Sequence, residues 1–167
     1  MDIIYEQLLV VKKSKLNYLL MALIVIVAAV LGIFLFINSA KYSLLVFAIV
    51  GLIYGVIALL KQFFIEYEYI MVNGTVDVDK ITAKSSRKRL LSFDTKDIVK
   101  CDKVVGGKVP QSDAKIKLVC GNLDETAYCL LLDCNGTKKQ LVFSPDDRMK
   151  AAIKETAPRI ISKDLFN

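Results

Sequence analysis

Two long stretches without a charged side chain decide most of what this chain can become. Residues 16–40 carry none, residues 42–60 carry none, and Lys41 alone divides them. A helix needs roughly 20 apolar residues to cross a hydrocarbon core of about 30 Å, and the two runs supply 25 and 19 uncharged ones. In water, helices apolar on every side need a large surrounding structure to cover them, and 167 residues leave too little chain to do so. A cleaved leader is the rival reading of the first run. Its apolar stretch is too long for a signal core, and a second run follows at once.

The sequence therefore predicts an N-terminal interfacial segment over 1–15, a first transmembrane helix over 16–40, a second over 41–62 and a cytoplasmic domain over 63–167. Lys12, Lys13 and Lys15 precede the first span and Lys61 follows the second. The positive-inside rule then places both termini in the cytoplasm, with a tight outer turn near Asn38–Ser43, in a multi-pass protein of the inner (cytoplasmic) membrane. Ile3, Ile4, Leu8 and Val11 among the lysines suit a short helix lying at the interface.

Neither span carries Asp, Glu, Lys, Arg or His. Ion paths and proton relays need ionisable groups inside the membrane, and transporters need more helices and internal repeats. The pair reads as an anchor. Gly51 and Gly55 form a GxxxG, and Ala28 with Gly32 forms a small-xxx-small pattern, the spacing at which helices pack closely in lipid. These faces either close the hairpin on itself or join two chains.

After Lys61 the hydrophobic period changes. "FIEYEYIMVNGTVDVDKI" holds two alternating runs around Asn73–Gly74, a strong hairpin signal. Alternation places Tyr67, Tyr69, Met71, Val76 and Val78 on one face and Glu66, Glu68, Asp77 and Asp79 on the other, solvent-facing one. In that register Glu68 stands opposite Asp79, a destabilising like-charge pair. The nearest cations are Lys84 and the basic turn Arg87, Lys88 and Arg89, so part of that turn is expected to neutralise its own sheet.

Further strands are predicted at Arg89–Asp94, Asp97–Val105, Lys115–Cys120, Thr126–Asp133 and Lys138–Phe143, with Gly106–Asp113 as a loop and Asn135–Gly136 as a second hairpin turn. A helix follows, with Ser144 as N-cap, Pro145 at its first position and Asp147 at capping-box distance. Met149, Ala152 and Ile153 form its apolar stripe and Pro158 ends it. The predicted fold is a two-helix transmembrane hairpin plus a mainly-β open barrel of six or seven antiparallel strands, plugged by one C-terminal helix.

This arrangement resembles membrane-anchored bacterial proteins with a pleckstrin-homology-like domain. In particular it resembles a group of small two-span membrane proteins of Clostridia-type bacteria. The residues that carry the likeness are the Tyr-rich strand Phe64–Val72, the Asn73–Gly74 turn and "VDVDKI" (Val76–Ile81). The basic "RKRLLSFDTKDI" (Arg87–Ile98) and "FSPDD" (Phe143–Asp147) complete it. The resemblance implies a fold and supplies almost no function, since one fold hosts many.

No chemistry stands out. The chain has no histidine, so the commonest general base is missing. Cys101, Cys120, Cys129 and Cys134 lack CxxC spacing and read as reduced, buried residues rather than as metal ligands. Alternation accounts for Asp77 and Asp79 without a metal, and Gly106-Gly107-Lys108 lacks P-loop spacing. No catalytic residue, metal or cofactor is expected. A net charge of +6, with acids interleaved among the bases, does not make a nucleic-acid face. Two function classes remain. One is a binding or scaffolding module for another membrane protein or a second copy. The alternative is a sensor of anionic lipid headgroups, with Lys84, Arg87, Lys88 and Arg89 as the contact residues.

Overall fold

The computed structural model describes residues 4–39, 44–158 and 165–166. The chain divides into two compact units, one of residues 12–65 with 82–85 and the other of the remaining residues.

The first unit is a helical hairpin of α1 (Lys15–Ser39) and α2 (Leu45–Lys61). Neither helix has a buried residue, so the apolar side chains that the sequence concentrates here stay uncovered by protein. By length and composition α1 can cross a membrane, whereas α2 is shorter, at 17 residues. Residues 40–43, where the outer turn was expected, lie outside the described residues. Ala28, Gly32, Leu52 and Val56 line the grooves between the helices, and a Cβ added at Gly32 would sit 3.9 Å from Leu52 Cδ2. The small residues of α1 thus line the groove between the helices. On α2, a Cβ added at Gly51 or Gly55 would meet nothing within 4 Å.

The second unit holds two four-stranded sheets. β1 (Ile4–Val10), β2 (Ile65–Val72), β3 (Thr75–Thr82) and β4 (Ser86–Asp94) pair in that order. β5 (Ile98–Lys103), β6 (Ile116–Val119), β7 (Tyr128–Cys134) and β8 (Thr137–Phe143) pair in the order β5-β7-β8-β6. These eight described strands exceed the six or seven expected, and they form two sheets. Nor are all pairs antiparallel. β7 occupies the edge of β8 that hairpin formation favours, which leaves the other edge to β6, paired in parallel from Ile116↔Lys139 to Val119↔Val142.

The extra strand is the N-terminal segment, expected as an interfacial helix. Ile4–Val10 instead pairs antiparallel with β2, from Ile4↔Val72 to Val10↔Glu66. The edge of β2 offers a ladder that an isolated amphipathic segment lacks, and the alternation of Gln7 and Leu9 with Leu8 and Val10 suits it. Gln7 locks the strand in place. Its amide donates to the Ser144 carbonyl at 3.0 Å, and its oxygen accepts the Asp146 N–H at 2.8 Å.

Both Asn-Gly turns form as expected. Asn73 and Gly74 have φ of 49° and 87°, and Asn135 and Gly136 have 52° and 77°. The predicted alternation also places the core. Tyr69, Met71, Val76 and Val78 from the first sheet pack with Leu130, Leu132, Leu141 and Phe143 from the second. Helix α3 (Asp147–Thr156) closes it with Met149, Ala152 and Ile153.

The start of α3 differs from expectation by two residues. Asp146, not Ser144, is the N-cap, and its carboxylate accepts the Met149 N–H at 2.7 Å. Ser144 is already committed. Its hydroxyl donates to the Asn122 carbonyl and its N–H to the Tyr69 hydroxyl.

Gly121 lies against the same residue. A Cβ there would stand 2.7 Å from Ser144 Oγ and 2.9 Å from its backbone nitrogen. Overpacking of this kind costs about 1–3 kcal/mol. Gly121→Ala in the full chain should therefore unfold several degrees lower than wild type, followed in detergent by a thiol-reactive dye that reports exposure of buried Cys120 and Cys129. An unchanged midpoint would show that Ser144 yields without cost.

Candidate functional site

The charged face of the first sheet is built from three consecutive strands. Alternation puts Glu68 on β2 and Asp77 and Asp79 on β3 away from the apolar core, and β4 brings Arg87 and Arg89 alongside. These arginines were expected in a turn, but they lie within β4. The turn itself is Thr82–Ser85, between β3 and β4. Arg87 and Arg89 share parity with Leu91 and Phe93, yet the arginines meet carboxylates while Leu91 and Phe93 enter the core. The alternation of β4 therefore changes phase between Arg89 and Leu91.

Two of the acids are not solvent-facing as expected. Glu68 is 4% exposed and Asp79 is 3% exposed. Buried carboxylates need partners, and the arginines supply them. The Arg87 guanidinium pairs with Glu68 and approaches Asp79 Oδ2 at 3.9 Å. Arg89 Nε donates to Asp79 Oδ1 at 3.1 Å, and its terminal nitrogen pairs with Asp77 Oδ2 at 2.9 Å. Asp79 thus stands between both arginines, and the like-charge conflict read from the hairpin is neutralised within the sheet.

Two pKa shifts report the balance. Burial pushes the Glu68 carboxyl above its usual value. Arg87 opposes that shift, and the neighbouring acids Glu6 and Asp79 add to it. The Arg89 guanidinium is held above its usual value, first by its hydrogen bond to Asp79 and then by the charge of Asp77.

Of the four expected contact residues, Arg87 and Arg89 are therefore engaged by their own sheet, though both side chains stay about half exposed. Lys88 is exposed on β4. Lys84 is exposed in the preceding turn and belongs to the helical unit. The sequence grouped these four as one patch, and Lys84 falls in a different unit from the other three.

Elsewhere in the β unit, several buried polar groups are held by hydrogen bonds. A cavity of about 170 Å³ on the second sheet is lined by Lys100, Asp102, Ser112, Cys129, Lys138 and Gln140, among others. The buried Gln140 amide donates to the Pro110 carbonyl and to Cys129 Sγ, while its oxygen accepts from Ser112 Oγ. The side chain pins the loop that the sequence predicted at Gly106–Asp113. The cysteines are free thiols. Burial pushes Cys101 up to about 11 and Cys120 up to about 12, which keeps both protonated at neutral pH. Among the described residues no group of three or more His, Cys, Asp or Glu gathers in a metal-binding arrangement.

Comparison with known proteins adds one finding. A family model described as Bacterial PH-like domain (DUF6106) matches residues 1–163. No curated protein and no solved structure matches the chain.

The ion-pair arrangement fixes a pH dependence. Removing one partner of a fully buried pair costs about 3–5 kcal/mol. Arg87 is half open to water, so Arg87→Ala is expected to cost about 1–2 kcal/mol at pH 7. Glu68 already sits above its usual value, and losing Arg87 raises it further. The folded variant then takes up a proton more readily than the unfolded chain, so its stability falls as pH rises through the carboxylate range. The deficit relative to wild type should be small near pH 4 and full by pH 7, measured by thermal unfolding of the full chain in detergent. A deficit independent of pH would remove Glu68 from the account.

Proposed function

Because the chain belongs to the bacterial PH-like domain family, we propose that it is a non-enzymatic binding or scaffolding protein. Its helices α1 and α2 anchor the β unit at the cytoplasmic membrane, with both termini inside. The observation that carries this reading is the helical hairpin. A 25-residue apolar helix packs with a second apolar helix, and neither has a buried residue. In water such a surface is strongly unfavourable, whereas in hydrocarbon it is matched to its solvent. The β unit then stands at the membrane surface and docks another membrane protein or a second copy of this chain.

The structural use of buried hydroxyls and amides in the β unit favours the binding reading. Its buried hydroxyls and amides are used to fasten loops and strands, and its most deeply buried thiols are protonated. The headgroup-sensing alternative through Lys84, Arg87, Lys88 and Arg89 draws on the half-open guanidinium groups. It competes with the carboxylates that already hold them, and the scaffolding reading is preferred.

Expression of the full chain with a C-terminal tag tests the anchor. Washing membranes with alkaline carbonate should leave the protein in the pellet, and detergent should release it. Protease should remove the tag from inverted vesicles and not from intact cells stripped of their wall. Recovery of the chain in the carbonate supernatant would defeat the reading.

A further inference from the structure

The net charge of +6 is not spread over the chain. The helical unit contains Lys12, Lys13, Lys15, Lys41, Lys61 and Lys84 and no acidic residue, so the β unit, which has all 17 acids, is neutral overall. Lys41 lies outside the described residues. The other five lie at one end of the hairpin. The helices run antiparallel, since Leu23 shares a groove with Leu59 and Gly32 lies near Leu52. The start of α1, after Lys12 and Lys13 and at Lys15, therefore adjoins the end of α2 at Lys61.

Lys84 reaches the same end by a different route. The Ala83 N–H donates to the Phe64 carbonyl at 2.7 Å, which ties the Thr82–Ser85 turn to the chain just after α2. Lys13 completes the join, with its ammonium 3.3 Å from the centre of the Phe64 ring. The turn is unusual in composition. Ala83 and Lys84 have φ of 50° and 56°, a left-handed pair that the other two hairpins fill with Asn-Gly. Residues with a Cβ are strained there. Turn geometry alone does not select lysine at this position.

We infer that Lys13, Lys15, Lys61 and Lys84 form a collar around exposed Phe64 that holds anionic phospholipid headgroups at the membrane surface. The inference rests on the anchoring reading above and deepens it. The collar faces no carboxylate from its own unit, because that unit has none. Its cations sit where the apolar helices end, which is headgroup depth for a hairpin in a bilayer. Phe64, 47% exposed, and Tyr18, 59% exposed, add rings at that boundary. The collar also differs from Arg87 and Arg89, whose charge the β unit consumes internally.

The test uses the full chain reconstituted in vesicles of phosphatidylcholine containing spin-labelled phosphatidylglycerol or spin-labelled phosphatidylcholine. Electron paramagnetic resonance measures the motionally restricted lipid. Wild type should prefer phosphatidylglycerol by about threefold or more, less at high salt. A variant with Lys13, Lys61 and Lys84 changed to Gln should lose the preference, while one with Lys103 and Lys117 changed to Gln keeps it. Lys84→Gly alone should lower the preference without lowering the unfolding temperature, since glycine relaxes the turn. That pairing separates a headgroup contact from a structural role. An unchanged preference in the triple variant overturns the collar. Restricted lipid without preference in wild type overturns it while leaving the anchor intact, and no restricted lipid overturns both.

Discussion

Tyr69 stands on β2 with its ring wholly buried against Phe143, the two centroids 5.7 Å apart in an edge-on arrangement. Its hydroxyl donates to the Cys120 carbonyl just past β6 and accepts the Ser144 N–H just past β8. One phenol thus joins the first sheet to two strand ends of the second. A buried carbonyl or amide left unpaired costs about 1–3 kcal/mol, so the sheets are tied by polar necessity as well as by apolar area. Burial also raises the phenol above its usual value, which keeps the donor proton in place across the physiological range. Much follows from this contact. Ser144, held by Tyr69 and Asn122, cannot cap the last helix, so Asp146 does. Gln7 then finds both ends of that junction within reach.

What the sequence made legible was local. The Asn-Gly turns need left-handed residues, and Asn73–Gly74 and Asn135–Gly136 adopt them where the alternating runs break. The core face of β2 and β3 followed from parity alone, as did the apolar stripe of α3. The misreadings concern partners distant in sequence. β1 pairs with a strand more than fifty residues away, and nothing in Ile4–Val10 names that partner. Glu68 and Asp79 were placed on the correct face and given the wrong environment. Parity says which way a side chain points, whereas burial depends on what lies across it. The choice of Asp146 over Ser144 was a competition for one hydroxyl, decided by Asn122. The small residues divided in the same way. Gly32 meets Leu52, but Gly51 and Gly55 meet nothing within 4 Å, a distinction that spacing alone does not contain.

The partition of charge is a second organising constraint. A sheet that buries two carboxylates must import cations, and β4 provides them within the same unit. The β unit ends neutral overall. The helical unit has no acidic residue and keeps a net positive charge, and its described lysines lie at one end. Under the proposed scaffolding role, the β surface would offer a partner shape and local polarity more than net charge.

The choice between the two basic side chains follows the same division. All four arginines, Arg87, Arg89, Arg148 and Arg159, belong to the β unit, and the helical unit uses lysine alone. A guanidinium is planar and presents a rigid fork of donors, which lets Arg89 address Asp77 and Asp79 at once from a fixed position. An ammonium on a flexible stem has no such fork, and it stays strongly hydrated. That is poor chemistry for settling two buried carboxylates. It suits a surface where anions arrive, exchange and leave, and where a long stem must follow them across the boundary between hydrocarbon and water. Lysine at Lys84, placed in a turn that would accommodate glycine with less strain, fits the second demand and not the first.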